Sequence, residues 1–61
     1  MPIVTVEASV GRTIEQKRGL VKDITDAVVK NYKVSPDIVT IVIREIADEH
    51  LAKAGVLKID R

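Results

Sequence analysis

The sequence predicts an α/β fold built as one β-α-β unit, and three observations carry that reading. Two runs rich in β-branched residues, Ile3 to Ala8 and Ile38 to Ile43, read as strands. Between them, Thr13 to Tyr32 repeats apolar residues at helical spacing. The chain has 61 residues, which allows a single domain, residues 1–61, near the lower limit for folding alone. Two strands joined by a crossover of helix length run parallel, with a right-handed connection.

Each element has its own local warrant. In the first strand, Thr5 and Glu7 alternate with apolar residues. Ser9-Val10-Gly11-Arg12 follows as a turn in which Gly11 is free to take positive φ. Thr13 caps the helix, and Gln16 three residues later completes a capping box. Ile14, Leu20, Val21, Ile24 and Val28 mark one side of the helix, while Arg18, Lys22, Asp26 and Lys30 mark the other. The helix is expected to end between Asn31 and Lys33. Ser35-Pro36-Asp37 makes a turn, with Pro36 suited to open a short helical turn. Ile38 to Ile43 is apolar on both faces, the pattern of a strand covered on both sides. Ala47 to Leu51 reads as a helical turn, and Val56 to Ile59 as a short C-terminal strand after Gly55.

Composition narrows the function. With no cysteine and one histidine, the chain offers no disulfide and no His/Cys metal cluster. Net charge is +1, with no basic run and with Tyr32 as the one aromatic residue, so nucleic acid binding finds little support. No signal peptide and no membrane-spanning segment is visible, and a soluble cytoplasmic protein is expected. The covering of the second strand needs more than one chain. One helix can cover one face of a two-stranded sheet, which leaves the other face and both edges open. A second copy is the simplest cover, so the chain is expected to be an obligate oligomer.

Pro2 is the first candidate for chemistry. If Met1 is removed, Pro2 carries a free secondary amine at the start of a strand. Burial disfavours its protonated form and moves its pKa down towards working pH, which makes it a general base. With Met1 in place the same nitrogen is an amide without basicity. Proline is also tolerated at strand starts for no chemical reason. Arg12, in the turn before the helix, can clamp a carboxylate with its fork, or stand as a solvated loop cation. Arg44 shares a strand face with Val42 and Thr40. Glu45 and Lys58 have salt-bridge readings, and His50 reads as a surface residue. There is no glycine-rich phosphate loop and no metal-ligand spacing, so neither cofactor nor metal is expected.

Met1-Pro2-Ile3-Val4-Thr5-Val6, Gly11-Arg12-Thr13, Glu15-Gln16-Lys17 and the β-α-β length together resemble the 4-oxalocrotonate tautomerase family, over nearly the whole chain. The resemblance implies a small subunit with a parallel two-stranded sheet and a short C-terminal strand (α/β, or α+β in some schemes). Such subunits dimerise and assemble as hexamers. It implies that Pro2, exposed by methionine removal, shuttles a proton in a small 2-hydroxy-dienoic or enol acid without a cofactor. Arg12 matches the family arginine that binds a substrate carboxylate.

Two positions depart from the family pattern. Thr40 stands where family members carry a second arginine, and Leu51 stands where they carry an aromatic wall residue. The glycine-rich hairpin is reduced to Ala52-Lys53-Ala54-Gly55. Thr40 offers one neutral hydrogen bond, so weaker binding of dicarboxylates, or a preference for monoacids, is expected. Arg44 is a candidate substitute, about 13 Å further along the strand. Two other readings stay open: a hydratase or dehalogenase acting on unsaturated acids, and a silent oligomeric module in which Met1 blocks Pro2.

Overall fold

The computed structural model describes residues 1–61. Strand β1 (Ile3–Ser9) is followed by helix α1 (Ile14–Tyr32) and strand β2 (Thr40–Ile46), and a small hairpin of β3 (Ala52–Lys53) and β4 (Val56–Leu57) closes the chain. Short 3-10 turns occupy Pro36–Ile38, Asp48–His50 and Lys58–Asp60. β1 and β2 pair in parallel, from Ile3 opposite Thr40 to Ser9 opposite Ile46. β3 and β4 form a separate antiparallel pair.

The helix starts where its capping box places it. Thr13 Oγ1 accepts the Gln16 N–H at 3.1 Å, and Gln16 Oε1 accepts the Thr13 N–H at 2.9 Å. At the other end, Lys33 takes the left-handed conformation (φ 56°) and donates its N–H to the Val29 carbonyl. That geometry is a common way for a helix to stop.

Two sequence expectations need correction. The second strand runs Thr40–Ile46 rather than Ile38 to Ile43. Pro36 draws Ile38 into its 3-10 turn, with the Val39 N–H bonded back to the Pro36 carbonyl. At the far end, pairing with Glu7, Ala8 and Ser9 carries the strand through Arg44 and Glu45 to Ile46. The C-terminal segment is a hairpin, not one strand, and Val56 to Ile59 divides between β4 and a 3-10 turn. Its reversal uses Ala54 (φ 52°) and Gly55 (φ 81°), two successive positive-φ residues as tight hairpin turns require.

The sheet has two unlike faces. Val4, Val6, Ala8, Ile41 and Ile43 are half-buried on the helix side, and there Lys17 Nζ of α1 meets Glu45 Oε1 at 2.7 Å. Ile3, Thr5, Glu7, Thr40, Val42 and Arg44 are exposed on the other side. No residue of the chain is fully buried, although strand β2 is patterned for cover on both faces. The accessible surface is 4848 Å². A compact monomer of this mass would expose roughly 3,900 Å². The radius of gyration is 14.9 Å, against about 10.5 Å for a compact domain of this length. A chain this extended, with Ile3 60% exposed on its open sheet face, does not supply its own core. Cover for what the sequence makes apolar has to come from outside the single chain.

Candidate active site

The residues singled out by sequence divide between the two ends of the β1–β2 sheet. At the start of the strands, Pro2 is half-buried and its carbonyl accepts the Thr40 N–H at 3.0 Å. Met1 lies outside the strand and is 83% exposed, so its loss disturbs no packing. Pro2 continues the helix-side row of Val4, Val6 and Ala8, whereas Thr40 lies opposite Ile3 on the open face. Their backbones are tied together, yet their side chains belong to opposite faces.

Arg12 stands at the other end. β1 finishes at Ser9, the Val10 N–H bonds to the Ile46 carbonyl at 3.2 Å, and Gly11 turns the chain at φ 115°. A side chain at Gly11 would be strained there, which explains a glycine just before the arginine. Arg12 lines a depression of about 280 Å³ between sheet and helix, with Val6, Ala8, Gln16, Leu20 and Ile43 among its walls. Lys17 and Glu45 also line it, but they neutralise each other at 2.7 Å. Arg12 has no acidic partner within ion-pair distance, so its guanidinium remains available to an anion.

Leu51 lies at the Arg12 end as well. It is half-buried, its carbonyl accepts the Lys58 N–H at 2.8 Å, and it lines an open depression of about 530 Å³ with Lys53, Lys58 and Arg61. Lys58 Nζ is 3.5 Å from Asp48 Oδ1 and donates to Ser9 Oγ at 3.3 Å. Ser9 also lines the Arg12 depression, so this one side-chain contact links the linings of two separate hollows. Arg44 is on the open sheet face, with its Nη1 3.8 Å from Glu7 Oε1. His50 is exposed, with Glu49 at 4.0 Å. Lys22, whose pKa is raised because its ammonium donates to Asp26, lies on the outer side of the helix, away from both ends.

Sequence reasoning passed over Lys53 and Arg61. Their nearness to Leu51 depends on the chain reversal at Ala54-Gly55, and only Gly55 was a visible turn signal.

The separation between Pro2 and Arg12 is the main geometric finding. The seven residues of β1 lie between them, about 20 Å at a strand's rise per residue. No arginine side chain spans that length. Two copies running antiparallel would bring the Pro2 end of one to the Arg12 end of the other.

Comparison with known proteins gives a consistent picture. The family described as "Tautomerase enzyme" matches residues 2–61. The chain is 44% identical over 55 residues to the 2-hydroxymuconate tautomerase of Bacillus subtilis, covering 90% of this chain and 89% of the other. It is similar in structure to a 4-oxalocrotonate tautomerase isozyme from Methylibium petroleiphilum, with a TM-score of 0.86 and 45% identity over 95% of this chain and 91% of the other. The heterohexamer 4-oxalocrotonate tautomerase from Chloroflexus aurantiacus shares the fold (TM-score 0.86, 98% and 97% covered) at 23% identity.

Proposed function

This chain belongs to the tautomerase family and is an isomerase by that membership, and we propose that it converts small 2-hydroxy-dienoic acids to their 2-keto forms through Pro2. The observation that carries this reading is the position of Pro2. It heads β1 half-buried, behind a freely exposed Met1, and the family match begins at this residue. Removal of Met1 gives a secondary amine there. That amine accepts the enol hydroxyl proton while the electron pair moves along the diene and the 2-keto group forms. The same proton then passes from the amine to a carbon at the far end of the diene. No atom is gained or lost, and the base is regenerated.

Arg12 of a neighbouring copy holds a substrate carboxylate and draws electron density towards it as the dienolate charge builds. The 20 Å length of β1 supports the sharing of one site between copies. The large exposed surface supports a homo-oligomer, and the shared fold with a heterohexamer favours six copies, a number the native mass would test. No helix is long and apolar enough to cross a membrane. A cytoplasmic location belongs to the same reading, and cell fractionation would test it.

The test is an enol-to-keto assay with 2-hydroxymuconate on protein freed of Met1, followed by ultraviolet absorbance. Pro2→Ala, or protein that keeps Met1, should lose about a hundredfold to ten-thousandfold in kcat/KM. Equal activity with and without Met1 would rule out the amine mechanism.

A further inference from the structure

We infer that Gln16 is a substrate-binding residue beside Arg12, its side-chain amide donating to the same carboxylate. This rests on the reading of Arg12 as a carboxylate anchor and adds to it a neutral donor in the same hollow.

The amide of Gln16 is held one way round. The Thr13 N–H needs an oxygen, and Gln16 Oε1 accepts it at 2.9 Å. Only the oxygen of a side-chain amide can accept, so this bond fixes where its NH2 group lies. That group carries two donors, and neither finds an acceptor within the chain.

The Arg12 hollow has few donors to spare. Its polar lining is Ser9, Arg12, Gln16, Lys17 and Glu45. Lys17 and Glu45 pair at 2.7 Å, and Ser9 Oγ accepts from Lys58 Nζ at 3.3 Å. The Arg12 guanidinium and the Gln16 NH2 group remain to meet an anion. A bidentate arginine leaves further lone pairs on a carboxylate unfilled, so the two donors do not compete. Val6, Ala8, Leu20 and Ile43 make up the rest of the lining. An acid group set against such apolar walls gains from every lone pair that is met.

Gln16 is also rigidly mounted. It belongs to the first turn of α1, where its own N–H bonds to Thr13 Oγ1 at 3.1 Å and the Lys17 N–H bonds to the Thr13 carbonyl at 3.1 Å. The capping box orders this side chain before any ligand arrives, so little rotamer freedom is lost on binding. A cap alone would accept glutamate as readily as glutamine. An amide donor would not, and that difference separates the two roles.

Two substitutions use it. Gln16→Glu keeps an oxygen for the Thr13 N–H and replaces the donors with a carboxylate oxygen. Gln16→Met removes the donors without adding charge and gives up half of the capping box. Thermal unfolding reads the cap. Calorimetric titration with sorbate, a conjugated monoacid, reads the anchor, and turnover of 2-hydroxymuconate by Met1-free protein reads the reaction. Gln16→Met should weaken sorbate binding and raise KM about tenfold, the size of one hydrogen bond to a charged group, with kcat changed less. Gln16→Glu should weaken both further by repulsion while keeping the wild-type unfolding temperature.

Wild-type sorbate binding and KM in Gln16→Met would overturn the amide donor and leave Gln16 a cap. A loss confined to Gln16→Glu would overturn it as well, because an added charge beside Arg12 explains that result. A loss confined to Gln16→Met, together with a lower unfolding temperature, would assign the effect to the cap and overturn it too. Weakened sorbate binding in both variants, in protein that turns over no 2-hydroxymuconate, would keep the donor and remove the tautomerase mechanism.

Discussion

The two ends of the β1–β2 sheet differ in what they hold. The strand starts bring together Pro2 and Thr40, a latent base and a hydroxyl, with no arginine or lysine among the site candidates there. The strand ends gather Arg12, Lys53, Lys58 and Arg61, all positive, around two separate hollows. A tautomerase needs a base and an anion anchor within one substrate's length, and here Pro2 and Arg12 flank opposite ends of β1, a strand about 20 Å long. The proposed mechanism therefore ties oligomerisation to catalysis as well as to stability. On the proposed mechanism, a copy in the reverse direction would supply the anchor that each base lacks, and the same association would cover the apolar residues that a lone chain leaves exposed.

Changes at the two ends should differ in size and kind. After loss of the Pro2 amine, the largest effect is expected from Arg12→Ala. Removing a bidentate, charge-assisted contact should cost about a hundredfold in kcat/KM for 2-hydroxymuconate. Assembly should survive, because Arg12 is exposed and has no partner within its own chain. An oligomer that fell apart on this substitution would assign Arg12 to packing instead.

Arg44→Ala lies away from both ends and serves as the contrast. Its charge faces Glu7 on the open sheet face, where an exposed ion pair contributes little. Less than a threefold change in kcat/KM is expected, on the order of the weakest such pairs. A tenfold loss specific to dicarboxylates would return Arg44 to the site.

The chain's local structure was largely legible in its sequence, and its spatial neighbours were not. The capping box at Thr13 and Gln16, the turn at Gly11 and the 3-10 turn at Pro36 each depend on residues close in sequence, and each forms as expected. The start of β2 shifted by two residues because Pro36 claims Ile38 before the sheet does. The sequence shows one strand where the hairpin forms, because Ala54, at φ 52°, is not a residue type that announces a left-handed turn. Pro2 and Arg12 stood out through their chemistry and their matching motif. Lys53 and Arg61 did not, because only the reversal at Ala54-Gly55 brings them beside Leu51.

The claim that each site takes its base and its anchor from different copies has a direct test. Pro2→Ala and Arg12→Ala chains, each nearly inactive alone, are unfolded together and allowed to reassemble as mixed oligomers. If the two residues come from separate copies, about a quarter of the sites in a random mixture receive an intact Pro2 and an intact Arg12, and activity returns to that level. Activity no higher than the average of the two variants, in oligomers shown to be mixed, would mean that one chain supplies both groups and would contradict the account.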